Sequence, residues 1–198
     1  AQSSKPIPEA TAEQAKGRKN GLYAVMNTSM GPITVQLFEK ESPETVRSFV
    51  GLSMGTKQWK DPRNGQMKQT PLYEGTIFHR VIPGFMIQGG DPLGRGTGDG
   101  GFTIPDEWTR SNLQFNIAGR LAMANAGPKT TGTQFFITEG PTTHLNQHPT
   151  IFGLVVDGMN VVSKIARVPR DRNDKPNTPV VLQNIQIFRV GPEPEAKK

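Results

Sequence analysis

The chain contains no cysteine. Disulfide bonds, thiolate metal sites and thiol nucleophiles are therefore excluded from its chemistry. It also has no apolar run that approaches the roughly 18 to 20 residues of a membrane-spanning helix. The 23 Lys and Arg residues exceed the 17 Asp and Glu residues, but they are scattered and do not form a basic run with interleaved aromatic residues. We therefore predict neither a membrane span nor a nucleic-acid partner.

The length and polarity of the chain indicate one folded domain with polar ends. The 198 residues can bury one hydrophobic core, and the mean hydropathy of -0.49 leaves room for polar appendages. Residues 1–20 are rich in Ala, Lys, Gln, Ser and Pro, a composition that buries too little apolar surface to order itself. We predict a flexible tail at 1–20, one domain at 21–190 and a second tail at 191–198.

Short segments that alternate apolar and polar residues recur along the chain and predict β-strands. Four of them are residues 22–26, 33–37, 150–156 and 180–188. Only two helices are indicated. One begins after Ser42, a predicted N-cap that Pro43 follows, and ends at Gly55; the other covers Met159 to Ala166. Many short strands with two helices predict a closed or nearly closed antiparallel barrel whose ends the helices cover.

A Pro-Gly turn in residues 78–91 joins two strand-like segments and brings unlike side chains together. The segments carry a cation, an amide and large apolar groups: Arg80, Gln88, Phe85 and Met86. Arginine keeps its charge at any accessible pH and presents five donors in a rigid fork. The arrangement predicts a pocket with a positioned electrostatic group and no general base.

Three motifs with known chemistry occur in contexts that do not support that chemistry. Gly51–Gly55 has the spacing of a hydrolase nucleophile elbow, but Ser53 lies at the end of a predicted helix instead of at its start. Gly96–Gly101 has the spacing of a dinucleotide-binding loop, but a proline follows too soon for the required helix. His144 and His148 have metal-ligand spacing without the glutamate of a zinc motif. We predict no cofactor and no metal.

Residues 78–91 read Phe-His-Arg-Val-Ile-Pro-Gly-Phe-Met-Ile-Gln-Gly-Gly-Asp and resemble the signature of the cyclophilins, the cyclosporin-binding class of peptidyl-prolyl cis–trans isomerases. Later family motifs are matched in the same order by residues 123–128, 132–137, 144–148 and 152–153. The similarity extends over residues 22–190, and the stretch from Gly98 to Glu107 resembles the bacterial branch. The resemblance implies a closed eight-stranded antiparallel barrel with two capping helices and an active groove on its outer face.

The resemblance also implies an activity and the residues that perform it. The activity is isomerisation of X–Pro bonds in unfolded or flexible polypeptides, which assists their folding. The implied catalytic residues are Arg80, Phe85, Gln88, Asn125, Phe136 and His148, and the implied substrate-binding residues are Met86, Ala124, Gln134, His144 and Leu145.

Each implied residue has an expected role. Arg80 would hydrogen-bond the prolyl nitrogen, and Gln88 would orient Arg80 and the substrate carbonyl. Asn125 would pair with the peptide through its own main chain, while Ala124 and Gln134 would line a neighbouring subsite. The proline pocket would consist of four apolar residues that could otherwise be ordinary core, namely Phe85, Met86, Phe136 and Leu145. His148 would hydrogen-bond the substrate near this pocket.

One departure from the family pattern concerns the pocket rim. His144 stands where many cyclophilins carry tryptophan, and the segment from Leu145 to His148 is one residue shorter than in the small animal members. Loss of an indole donor and of its apolar face predicts retained isomerase activity with weakened cyclosporin binding.

Two other function classes remain as alternatives. A catalytically silent peptide-binding scaffold would keep the apolar residues and lose Arg80, and a basic interaction module would act through its surface charge. We expect a monomer that acts in the periplasm or outside a bacterial cell, with the cytoplasm as the alternative.

Overall fold

The computed structural model describes residues 5–108, 112–146 and 149–195. Its strands are β1 (Gly21–Thr28), β2 (Gly31–Leu37), β3 (Trp59–Lys60), β4 (Met67–Lys68), β5 (Thr76–Ile77), β6 (Arg80–Ile82), β7 (Met86–Gly89), β8 (Arg120–Met123), β9 (Phe135–Thr138), β10 (Ile151–Asp157) and β11 (Val181–Val190). Its α-helices are α1 (Ala12–Ala15), α2 (Pro43–Met54) and α3 (Met159–Ala166), and a 3-10 turn covers Thr143–Leu145. The two helices expected from the sequence are confirmed as α2 and α3.

Nine strands form one antiparallel sheet in the order β5-β11-β1-β2-β10-β8-β9-β7-β6, while β3 and β4 form a separate hairpin. The two edge strands, β5 and β6, are consecutive in the chain and are joined by Phe78 and His79 alone. The sheet must therefore curl until its edges lie close together. This curl encloses the hydrophobic core.

The predicted closed eight-stranded barrel is not confirmed, because no ladder joins the two edges in the described part of the chain. The outer edge of β6 bonds elsewhere: the Val81 N–H donates to the Asp174 carbonyl at 2.8 Å. On the other edge, the Phe78 N–H donates to the Val180 carbonyl at 3.0 Å and so continues the pairing of β5 with β11. With two residues between them, β5 and β6 have no free length to pair with each other.

The interior of the curl is filled by apolar side chains from every strand of the large sheet except β5, and from α2 and α3. Phe49 of α2 is the centre of its aromatic part. Its ring centroid lies 5.1 Å from that of Phe152, 5.4 Å from that of Tyr73 and 6.0 Å from that of Phe135. Full burial raises the pKa of Tyr73, whose hydroxyl donates to the Thr133 carbonyl at 2.8 Å.

The start of α2 is capped by a residue far away in the chain. Ser42 has the predicted N-cap position, but its hydroxyl donates to the Ile151 carbonyl at 2.7 Å. The carboxylate of Glu107 instead accepts the N–H groups of Glu44 and Thr45, at 3.2 and 2.6 Å. A buried anion at a helix N-terminus satisfies its free donors and complements its dipole.

The segment before β1, which the sequence predicts to be a tail, lies along the end of β11. The Ala10 N–H donates to the Arg189 carbonyl at 2.8 Å, and the Arg189 N–H donates to the Pro8 carbonyl at 2.9 Å. Ile7 packs against the main core. The domain boundaries and the flexibility of both ends stay predictions. In the described ranges, none of the helices has the length and apolarity that crossing a membrane requires.

Candidate active site

Four neighbouring strands, β6, β7, β9 and β8, carry many of the predicted site residues on one face. Residues that face each other across antiparallel strands project their side chains to the same side of the sheet. Arg80 faces Gln88, which faces Phe136, which in turn faces Ala122. We call these four residues the outer row. It places a guanidinium, an amide and an aromatic ring side by side in consecutive strands.

The next register along the same strands faces the opposite way. Val81, Ile87, Ile137 and Leu121 face one another in the same strand order, and we call them the inner row. All four are fully buried and belong to the main core. Because side chains alternate along a strand, burial of the inner row directs Arg80 outward, where it is exposed. The resemblance implies an active groove on the outer face, and this is the face that carries Arg80.

A second apolar cluster lies on the outer face, separate from the main core. Its buried members are Met86, Phe115, Ala122, Phe136 and Ile151, with the partly buried Phe85 and Leu145 packed against them. The structure thus brings together all four predicted pocket residues. It adds Phe115, whose ring stacks on Phe136 with centroids 5.8 Å apart and planes 17° apart. Phe115 is in no recognisable motif, so the sequence offered no signal for it.

The rim of this cluster is formed by the 3-10 turn that carries His144 and Leu145. The exposed His144 ring lies 5.5 Å from the Phe85 ring, centroid to centroid. Phe115 holds the turn through its backbone: its carbonyl accepts from the Thr142 N–H at 2.8 Å, and its N–H donates to Asn146 Oδ1 at 2.7 Å. His148, a predicted catalytic residue, lies outside the described residues.

Hydrogen bonds connect the outer row to the glycine-rich loop at 96–101. Gln88 Nε2 donates to Gln134 Oε1 at 3.2 Å, and Gln134 Nε2 donates to the carbonyls of Gly96 and Gly98 at 3.0 and 3.1 Å. The Gln88 amide is therefore bonded to Gln134 and not to Arg80, its predicted partner. Across residues 5–108, 112–146 and 149–195, the guanidinium of Arg80 makes no hydrogen bond or ion pair, so its donors are available to a ligand.

A groove of about 310 Å³ lies between this loop and the segment after β8. Its walls include the predicted subsite residues Ala124, Asn125 and Gln134, and Gln88 lies at its border. The Ala124 N–H donates to the Gln134 carbonyl at 2.9 Å, which fixes one wall on the other. Asn125 is exposed, and its side chain accepts from the Gly127 N–H at 3.2 Å. This bond uses the side chain of Asn125, whereas the pairing expected with a peptide would use its main chain.

The glycine-rich loop is wrapped around the buried carboxylate of Asp91. The carboxylate accepts four backbone N–H groups, from Leu93, Arg95, Gly96 and Gly98, at 2.6 to 3.1 Å. Burial of the carboxyl favours its neutral form, but the four bonds outweigh burial and hold the pKa of Asp91 below its ordinary value. A Cβ atom at position 98 would overlap the carboxylate, which explains that glycine. The interpretation as a tight loop is confirmed.

The serine motif is also explained by structure. Ser53 is buried near the end of α2 and its hydroxyl donates to the Phe49 carbonyl at 2.7 Å, as expected for a structural serine. Among the described residues, no group of three or more histidines and carboxylates could hold a metal ion. His79 is buried, and Nδ1 of its ring has no hydrogen-bond partner in the described ranges.

Comparison with known proteins agrees with this geometry. The family model "Cyclophilin type peptidyl-prolyl cis-trans isomerase/CLD" matches residues 23–187. Peptidyl-prolyl cis-trans isomerase A of Mycobacterium tuberculosis is 48% identical over 166 residues, covering 83% of this chain and 91% of the relative. Peptidyl-prolyl cis-trans isomerase B of Streptomyces anulatus is 47% identical over 169 residues, covering 84% and 96%. A crystal structure of a Cryptosporidium parvum cyclophilin type isomerase has a TM-score of 0.73 and 32% identity, covering 84% and 96%.

Proposed function

Because the chain belongs to the cyclophilin-type peptidyl-prolyl cis–trans isomerase family and is an isomerase of this class, we propose that it accelerates rotation about X–Pro bonds in unfolded or flexible polypeptides. It binds the exposed proline segments of these polypeptides in the groove on the outer face of the sheet. The observation that carries this proposal is the outer row. An exposed guanidinium without a partner in the described ranges lies in register with Gln88 and Phe136, next to an apolar cluster on the surface of the sheet.

The X–Pro bond resists rotation because the nitrogen lone pair is delocalised into the carbonyl group. The barrier is about 18 to 20 kcal/mol, and the unassisted bond relaxes over roughly tens to hundreds of seconds. A catalyst must therefore weaken this delocalisation. When the bond is twisted, the prolyl nitrogen becomes pyramidal and regains a lone pair that can accept a hydrogen bond. A donor that meets this lone pair stabilises the twisted state and neither planar ground state, which is the condition for catalysis.

We assign this donor to Arg80. Arginine side chains carry a charge and a rigid fork of donors. Arg80 is exposed, and it lies opposite Gln88 in the adjacent strand. One charge-assisted hydrogen bond is worth roughly 1.5 to 3 kcal/mol, or about one to two powers of ten in rate. Arg80 is therefore one contribution among several.

The apolar cluster supplies a second contribution by gripping the proline ring. Proline has no N–H and its ring is apolar, so a protein can recognise the ring by burying it among apolar side chains. Here these side chains are Phe85, Met86, Phe136 and Leu145. If the ring is held, rotation takes place in the part of the peptide that precedes it. The polar groove then binds the peptide backbone, through the Asn125 main chain and the Gln134 wall. We keep His148 as a residue that hydrogen-bonds the substrate near the proline pocket.

The proposal is tested by a protease-coupled assay with a proline tetrapeptide. We expect the Arg80→Ala variant to lose about one to two powers of ten in kcat/KM with an unchanged unfolding temperature, because the Arg80 side chain makes no hydrogen bond or ion pair with the described residues. Arg47→Ala is the matched control, since Arg47 is also largely exposed but lies on α2. Equal rates for wild type and Arg80→Ala would refute the assigned role and favour a silent peptide-binding scaffold.

We also propose that the protein is a monomer, that it acts in the periplasm or outside a bacterial cell, and that it binds cyclosporin weakly. The bacterial relatives support a bacterial source for the protein. Light scattering tests the oligomeric state, and fractionation of the native bacterium with detection by antibody tests the compartment. Recovery of the protein in the cytoplasmic fraction would contradict the proposed location.

A further inference from the structure

We propose that Glu139 is a positioning residue of the isomerase site: held by Arg167 at the end of α3, its carboxylate fixes the Pro83-Gly84 turn and thereby the placement of Phe85. This inference rests on the proposed function, because it takes Phe85 to be a wall of the proline pocket. It concerns a residue immediately after β9 that has no place in any of the motifs read from the sequence.

Glu139 contacts the turn of the β6–β7 hairpin twice. Its N–H donates to the Phe85 carbonyl at 2.8 Å, which extends the pairing of β9 with β7 by one residue. Its side-chain Oε2 accepts from the Gly84 N–H at 2.7 Å. One residue therefore holds the backbone on both sides of the Gly84–Phe85 peptide bond.

The second carboxylate oxygen pairs with the Arg167 guanidinium at the end of α3. Arg167 is fixed in turn by donating to the Ser163 carbonyl at 3.1 Å. The Glu139 side chain is only 6% exposed, whereas that of Arg167 is 56% exposed. A largely buried carboxylate that bonds a backbone N–H and a guanidinium is much better fixed than a surface ion pair.

The turn needs this support because little else holds it. Between the paired residues Ile82 and Met86 there is one internal bond, from the Phe85 N–H to the Ile82 carbonyl at 3.1 Å. Gly84 has a φ of 75°, and a Cβ added there would meet no atom within 4 Å. A glycine in open space has many accessible conformations, so without its bond to Glu139 it would let Phe85 move.

Movement of Phe85 would affect substrate binding more than the chemical step. The Phe85 ring packs on the outer cluster and against His144, where the proposed function places the proline ring. Arg80 lies at the far end of β6 from the turn and is held by its pairing with Gln88. A loosened turn therefore weakens the grip on proline and leaves the donor in place. This separation between binding and turnover is the signature of the proposed role.

The test compares steady-state kinetics of Glu139→Ala and Glu139→Gln with wild type on a proline tetrapeptide. We expect Glu139→Ala to raise KM about tenfold with kcat within about twofold, since a charge-assisted bond is lost. Glu139→Gln keeps an oxygen acceptor for Gly84 but loses the charge, so we expect KM to rise about threefold. Arg167→Met should match Glu139→Gln.

Glu39→Ala is the matched control. Glu39 is also a partly buried glutamate paired with an arginine, Arg189, but it lies far from the hairpin in the sheet order. We expect it to lower the unfolding temperature and leave KM unchanged. A second readout is the Gly84 amide proton, whose NMR resonance should move upfield in both Glu139 variants because its acceptor is lost or weakened.

The outcomes separate this inference from the proposed function. If wild type is active, Arg80→Ala is impaired and both Glu139 variants keep the wild-type KM, the positioning role is overturned and the proposed function stands. A KM change equal to that of Glu39→Ala would also overturn it, since it would reflect stability alone. If Glu139→Ala fails to fold, Glu139→Gln carries the test. An inactive wild-type protein would overturn both.

Discussion

The inner and outer rows belong to the same four strands and differ by one residue in register, yet they have different environments and different roles. The inner row consists of aliphatic side chains without solvent contact, namely Val81, Ile87, Ile137 and Leu121. The outer row changes along its length from an exposed cation to a buried methyl group, through Arg80, Gln88, Phe136 and Ala122. Uniform apolar burial builds the fold, and a gradient of polarity builds a site.

The difference shows how a sheet can separate stability from function without a separate layer for each. Because side chains alternate, each strand can present one residue to the core and the next to a ligand. The outer face is not purely polar, since Phe136 and Ile151 are buried there by Phe115 and Leu145. The cluster that we propose as the proline pocket is therefore a small core left open at its rim. Substitutions on the two faces should have separable effects.

The largest expected effect comes from the inner row. Ile137→Ala removes a fully buried side chain from the main core, and such substitutions cost about 2 to 5 kcal/mol of unfolding free energy. We expect this loss in urea unfolding, with kcat/KM per folded molecule near that of wild type. Loss of activity while the unfolding midpoint stays unchanged would contradict the assignment of this row to the fold.

The next effect comes from the cation of the outer row. Arg80→Lys keeps the positive charge but replaces a rigid fork of donors by a flexible point charge. We expect it to recover less than about tenfold of the activity lost in Arg80→Ala, since directed donors and not charge alone stabilise the twisted bond. Full recovery in the protease-coupled assay would show that charge is sufficient. The unfolding free energy should be equal in both variants.

The two-residue strands β3, β4 and β5 were not predicted, but the alternation and the turn signals were sufficient to predict the longer strands and the two main helices. The reason is that these features depend on neighbours within a few residues. The 78–91 hairpin is an example, because its register follows from one turn. The candidate site residues came from the family resemblance, which a few continuous motifs carry.

Long-range contacts could not be predicted in this way. Glu107 caps α2 across a separation of 62 residues, and Glu139 holds Gly84 across 55. Phe115 supports the pocket from a segment without a motif. Each depends on the three-dimensional path of the chain. The open edge between β5 and β6 is similar, because it depends on where the Val81 N–H finds its acceptor.

A smaller effect is expected at His144, on the rim of the apolar cluster of the outer face. His144→Trp adds an indole donor and a larger apolar face next to Phe85, and such contacts are worth about 0.5 to 1.5 kcal/mol beyond their burial. We expect about tenfold tighter cyclosporin inhibition in a titration. The isomerase rate without inhibitor should change little. Wild-type inhibition as tight as that of the variant would contradict the role of this position.

The smallest effect concerns His79, the buried neighbour of the exposed Arg80. Burial lowers the pKa of His79, the charge of Asp91 opposes this shift, and the charges of Lys175 and Arg80 add to it. The unfolded chain therefore binds a proton on this side chain at a higher pH than the folded protein does. The contribution to stability is complete above the unfolded pKa of 6.5 and decreases as the pH falls below it.

His79→Asn removes this proton-binding group, so the unfolding free energy of the variant should depend less on pH just below 6.5 than that of wild type. Urea unfolding at a series of pH values measures the difference. Parallel pH profiles would show that His79 titrates alike in both states. The variant should retain wild-type kcat/KM per folded molecule at pH 7, which would separate the role of the buried His79 from that of the exposed Arg80 next to it.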